Sequence, residues 1–180
     1  MKSKLPGLFI LTICLVVLVL LFFGCDVQFS SPQPVWVTKN QKVIPRNLRG
    51  NYLRGKDTIR ITEKRIADNL KLHDIDFTLS DSVVLRIYKH LYFLNISNGN
   101  RKPWSLVLGK KEKDRIYYCI LLSEDSIMLS RLKKITKVNK TKESDGQSTL
   151  NVIDPSPVEF RKILKSNLFA VVDTLTRVGK

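Results

Sequence analysis

Few side chains in this 180-residue chain stand at spacings that do chemistry, and the most tellingly placed is a thiol. Cys25 directly follows Gly24 at the end of an apolar run, Leu8 to Phe23, which is interrupted only by Thr12 and preceded by Lys2 and Lys4. A basic start, a hydrophobic middle and a small residue before the cut make the layout of a secretory signal, with cleavage between Gly24 and Cys25. The competing outcomes are simple secretion and an uncleaved anchor, and a spanning helix wants about 20 apolar residues, more than this run supplies. Cys14 leaves with the leader, so Cys119 is the one other thiol of the mature chain. It stands among Ile116, Tyr117, Tyr118, Ile120 and Leu121 and is expected to be a small buried hydrophobe. A reactive thiol would need an electropositive, accessible setting. Neither His73 nor His90 falls in a His-Glu-x-x-His spacing, and there is no Gly-x-Ser-x-Gly elbow or phosphate-cradling glycine loop. Aspartates precede several apolar runs singly, whereas calcium takes six to eight oxygen ligands. No catalytic, cofactor or metal residue is therefore assigned.

Charge narrows the partners. The chain carries 31 Lys+Arg against 16 Asp+Glu, a formal +15, and losing Lys2 and Lys4 with the leader removes little of that surplus. Such a balance favours anionic surfaces. Nucleic acid is the other usual partner of basic chains, and export argues against it. The basic residues are scattered except at Lys110, Lys111 and Lys113 and from Lys133 through Lys142, so a merely solvated surface is the competing reading.

The elements that would carry these groups are mostly strands. After residues 1–24, residues 25–45 read as a tether, with Ser30, Ser31, Pro32, Gln33 and Pro34 favouring an extended spacer. Val35-Trp36-Val37 alternates briefly and offers a short edge strand. A single domain occupies 46–180. Within it 51–53, 58–62, 75–79, 83–88, 90–95, 104–108, 116–122 and 126–130 are rich in β-branched, aromatic and alternating residues, as half-buried strands are. Asp57-Thr58, Asp81-Ser82 and Asp125-Ser126 read as three strand entrances, because Asp and Ser close turns through hydrogen bonds to the backbone. Strands following one another through short polar connectors imply a mainly β fold, a small antiparallel meander that is barrel or sandwich-like. Lys137 to Thr149 reads as a mobile polar loop. One C-terminal helix is expected over about 157–167, with Ser156 as cap, Pro157 at the first position and Glu159 completing a capping box. Phe160, Ile163, Leu164 and Phe169 would form its apolar face, and Ala170-Val171-Val172 a closing strand.

Leu21-Phe22-Phe23-Gly24-Cys25 resembles the lipobox of bacterial lipoproteins, with Phe22 where Leu is usual. That resemblance implies a thiol that receives a diacylglycerol and becomes an acylated N-terminus. Two or three acyl chains on one cysteine hold a protein stably where a single chain does not. Together with Ser31-Pro32-Gln33-Pro34, the run Pro45 through Tyr52, the Asp-Ser/Thr openings and Ser156 through Phe169, the chain resembles a family of uncharacterised Bacteroidetes lipoproteins. The resemblance implies a cell-envelope location, with the membrane as partner through Cys25, and no known activity. Gly50-x-Tyr52 is also similar, loosely, to the first strand of lipocalin-like barrels, although their Gly-x-Trp signature is absent. The expectation is a binding or assembly module at a membrane surface, on the outer membrane, touching anionic lipid or lipopolysaccharide through Lys110, Lys111 and Lys113, or a protein of the envelope. The alternatives are an envelope-polymer hydrolase, which needs a deep pocket holding His73 or His90 with a carboxylate, and a lipocalin-like carrier, which needs an apolar cavity.

Overall fold

The computed structural model describes residues 27–68, 75–97, 103–121, 126–142 and 149–179. Cys25 and His73 lie outside the described residues. Twelve strands appear in chain order: β1 (Val27–Phe29), β2 (Gly50–Arg54), β3 (Asp57–Ile61), β4 (Arg65–Asp68), β5 (Asp76–Thr78) and β6 (Val83–Tyr88) are followed by β7 (Leu91–Ser97), β8 (Trp104–Glu112), β9 (Arg115–Leu121), β10 (Val138–Lys142), β11 (Thr149–Ile153) and β12 (Phe169–Val178). Two helices interrupt the second half, α1 (Ser126–Lys133) and α2 (Pro157–Lys165).

The strands make one mixed sheet whose main body is an antiparallel meander. Strands β2 to β5 pair in succession, as do β6 to β9, and β12 joins the two runs by pairing with β9 on one side and β2 on the other. The meander therefore runs β5-β4-β3-β2-β12-β9-β8-β7-β6, and β5 and β6, at its two ends, are not paired with each other among the described residues. A smaller wing completes the sheet: β1 pairs in parallel with β11 and meets β8 at Phe29 and Trp104, while β10 pairs with β11.

Side-chain alternation gives the β6–β9 region two apolar faces. On one, Phe93, Leu106, Leu108, Cys119 and Leu121 join Phe29, Ile153, Leu132 and the α2 residues Phe160 and Ile163 in a filled core. Phe160 is its hub, with the rings of Phe29, Trp36 and Phe169 edge-on at 5.8, 5.7 and 6.5 Å. On the other face Leu85 and Ile116 join Tyr52, Ile59, Ile61 and Leu175. Cys119 is fully buried in the filled core, where burial pushes its thiol pKa up and keeps it protonated.

Several segments differ from the sequence expectation, each for a reason that lies elsewhere in the chain. Residues 126–130 begin a helix, not a strand: Met128, Leu129 and Leu132 recur at helical spacing and pack on the filled core. The described part of the expected tether is packed instead. Its Gln33 is fully buried, donating its backbone N–H to Asn95 Oδ1 at 2.6 Å, while Asn95 Nδ2 donates to the Gln33 carbonyl at 2.9 Å. Arg86 Nη1 donates to the carbonyls of Pro32 and Pro34 at 2.6 and 3.1 Å, and Trp36 stands edge-on to Tyr88. Residues 138–142, expected within a mobile loop, form the edge strand β10, whose lysines blunt the free edge. Helix α2 keeps the expected start, with Ser156 and Glu159 bonding reciprocally to each other's backbone N–H. It ends at Lys165, before Asn167 turns the backbone at φ 54°, so Phe169 opens β12 rather than extending the helix.

Candidate functional site

The second apolar face is not filled. Strands β2 to β9 and β12 curl around a cavity of about 350 Å³, within the size range of small-molecule sites. Ile59 and Ile61 of β3, Ile66 of β4 and Phe77 of β5 line it on one side. Leu85, Leu94 and Val107 of β6, β7 and β8 face them, with Ile116 and Leu175 completing the wall. Inward-pointing Ile66, Phe77, Leu94 and Val107 are only half-buried. In a filled core they would be sealed; here they border open space.

Gly109 helps keep the space open. It is paired with Tyr92 on one neighbouring strand and Tyr118 on the other, and a Cβ there would meet Tyr92 Cβ at 3.4 Å. Tyr92 and Tyr118 thus flank a gap in the side-chain lining of β8.

A strap crosses the unpaired side of the meander. Gln41 N–H donates to the Leu85 carbonyl of β6 at 2.8 Å, and Ile44 N–H donates to the Glu63 carbonyl at the β3–β4 turn at 2.7 Å. Ile44 and Leu48 are both buried and both line the cavity. The segment expected to hold the body away from a membrane therefore forms part of the cavity wall.

The one charged side chain among the described lining residues is Arg54. Its Nε donates to Asp173 Oδ2 at 2.7 Å, and the same oxygen accepts from the Tyr118 hydroxyl at 3.1 Å. The Thr174 N–H donates to Asp173 Oδ1 at 2.7 Å. Burial pushes the Asp173 carboxyl up, but the bonds from Arg54, Thr174 and Tyr118 outweigh it and hold the pKa below the usual value. Burial also pushes the Tyr118 phenol up to about 12, with the nearby Arg54 opposing and the Asp173 charge reinforcing the shift. Position 173 reaches this cluster through a β-bulge: Val171 pairs with Cys119, yet Asp173, two residues on, pairs with the next residue, Tyr118. The extra residue, Val172, moves Asp173 from the Cys119 side of the sheet to the Tyr118 side.

The residues singled out from sequence lie elsewhere. His90 is exposed in the β6–β7 turn and does not line the cavity. Lys110, Lys111 and Lys113 gather at the β8–β9 hairpin, where Lys111 Nζ donates to the Lys113 carbonyl. Lys110 and Lys111 are consecutive strand residues and point to opposite faces, with Glu112 and Asp114 between and beside them. Arg54, Tyr118 and Asp173 carry no short-range signal: Arg54 and Asp173 are 119 positions apart. The described residues hold no cluster of three or more His, Cys, Asp or Glu able to bind a metal ion, and no helix among them is long and apolar enough to cross a membrane. Compared with known proteins, the chain matches no protein family, no curated protein and no solved structure.

Proposed function

We propose that this chain binds a small apolar molecule inside the curled sheet, as a lipoprotein held at a bacterial envelope membrane by acyl chains on Cys25. The observation that carries the reading is the cavity of about 350 Å³, walled mostly by aliphatic and aromatic side chains, beside a second core whose residues are buried around Phe160. An empty apolar hollow forfeits the dispersion contacts that a filled one gains, so an occupant of matching surface would be drawn in by apolar burial worth roughly 25 cal/mol per Å². The lysines of the β8–β9 hairpin and the basic surplus that remains once Lys2 and Lys4 leave with the leader would favour anionic headgroups beside the anchor.

The test is a titration of the full chain with N-phenyl-1-naphthylamine, an uncharged dye that brightens in apolar surroundings. Saturable binding at one site per chain is expected. Gly109→Leu, which fills the gap between Tyr92 and Tyr118, should weaken it at least about fivefold, since overfilled apolar space costs roughly 1–3 kcal/mol. Dye binding that does not saturate, or that Gly109→Leu leaves unchanged, overturns the reading.

A further inference from the structure

We infer that the occupant is a chain lipid carrying an uncharged oxygen acceptor, such as an ester or amide carbonyl, which accepts a hydrogen bond from the terminal nitrogens of Arg54. This rests on the reading of the hollow as a ligand site and adds the chemistry of the ligand's polar end.

The bond inventory around Arg54 decides the kind of group required. Its Nε is spent on Asp173, while its two terminal nitrogens bond to none of the described residues. Asp173 is already served by Arg54, by the Tyr118 hydroxyl and by the Thr174 N–H, and Tyr118 spends its only proton on that carboxylate. The polar end of the cavity therefore offers donors and asks for an acceptor. A pure hydrocarbon lying against Arg54 would cover those N–H groups without replacing the water bonds they lose. Leaving such a donor unmet weakens binding by roughly tenfold or more.

Charge then chooses among acceptors. The Arg54 cation is neutralised by Asp173 at contact distance, and the field of Asp57 acts on it as well. A ligand carboxylate would enter beside Asp173, which already holds the Arg54 cation at contact distance, and repulsion from it would cancel much of its bond to Arg54. A carbonyl oxygen accepts the same bond with no net charge.

The experiment uses the full chain, stripped of lipid and held in solution by an amphipathic polymer too large to enter the cavity. Displacement of N-phenyl-1-naphthylamine is measured with methyl decanoate, with undecane, and with decanoate at a pH where the acid is fully ionised. The methyl ester should displace the dye at concentrations about tenfold or more below those of either other ligand. In Arg54→Met combined with Asp173→Leu and Tyr118→Phe, which removes both charges and every side-chain donor of the cluster, the ester should lose its advantage while undecane binds as before. Arg54→Leu combined with Asp173→Val and Tyr118→Phe, a second donor-free packing of the same end, should lose the advantage too. Equal displacement by ester and hydrocarbon in the parent, or an ester advantage that survives both variants, overturns Arg54 as the anchor. Tighter binding of ionised decanoate overturns the uncharged head. If dye and all three ligands fail to bind, the hollow is not a ligand site and the reading above falls with this one.

Discussion

Two neighbouring residues of β7 offer a direct measure of whether the sheet has one filled face and one hollow face. Phe93 is fully buried against the Phe160 ring, whose centroid is 6.1 Å away, whereas Leu94 points to the other face and lines the cavity. Phe93→Ala removes a ring from a packed core and leaves a new void, which costs about 3–5 kcal/mol. Leu94→Ala only enlarges a space that already exists. Its side chain is half-buried, so the loss is roughly half the 1.5–3 kcal/mol of fully burying a leucine, about 1 kcal/mol. The two substitutions sit in the same strand between the same neighbours, so changes in strand propensity are small beside the difference of ~2 kcal/mol or more. With a urea slope of about 1–3 kcal/mol per molar, their midpoints should separate by on the order of 1 M. Fluorescence of Trp36 and Trp104, which both pack on the filled core, reports the transition. If Leu94→Ala loses as much stability as Phe93→Ala at unchanged slope, the inner face is packed and the ligand reading loses its basis.

Other outcomes are equally specific. Ser156→Ala removes the acceptor for the Glu159 N–H at the start of α2 and should cost about 1 kcal/mol in urea unfolding, with Ser156→Gly costing less. The depressed Asp173 pKa means the unfolded state binds more protons at acid pH, so stability present above the ordinary carboxylate pKa is lost as pH falls through the folded value; Asp173→Asn should flatten the acid limb of stability measured against pH. Tyr118 works in the opposite direction. Its phenol, raised from 10.0 to about 12, favours the fold below the lower value, and that contribution declines as pH climbs between the two, so Tyr118→Phe should flatten the alkaline limb and remove one late-titrating phenolate from the ultraviolet spectrum. Cys25→Ser should abolish membrane attachment, checked by acyl mass on the N-terminal peptide; an unmodified parent N-terminus would refute the lipid anchor. Replacing Lys110, Lys111 and Lys113 with Gln should weaken attachment to anionic vesicles at low salt and have little effect at high salt, where charges beyond a Debye length are screened.

Much of the fold was legible from local pattern because the responsible forces are local. The alternation in 58–62 and the apolar, β-branched run in 83–88 mark strands whose bounds differ little from those observed, and Ser156, Pro157 and Glu159 fix where α2 begins because all three act within one turn. The errors fall where a segment's partners are far away in sequence. Residues 27–45 have the composition of a spacer, yet Asn95, 62 positions from Gln33, bonds to that residue's backbone, and Arg86 ties down the carbonyls of Pro32 and Pro34. Residues 126–130 hold too few apolar side chains to separate a period of 2 from one of 3.6, and docking against Leu132's neighbours in the filled core selected the helix.

The sequence by itself determined that this chain is strongly basic and β-rich, with strands of two distinct faces and a capped C-terminal helix. Alternation tells which residues share a face, because successive side chains in a strand point opposite ways. It is silent on whether that face is filled. Filling depends on how the sheet curls and on which side chains meet across it, a comparison of enclosed space with side-chain volume that exists only in three dimensions. The tertiary structure alone decided that Phe160 fills one compartment while Ile66, Leu94 and Val107 surround an open one. It also decided, through one bulged residue in β12, that Asp173 turns toward Tyr118 and Arg54, placing a charged cluster at the wall of a mostly apolar hollow.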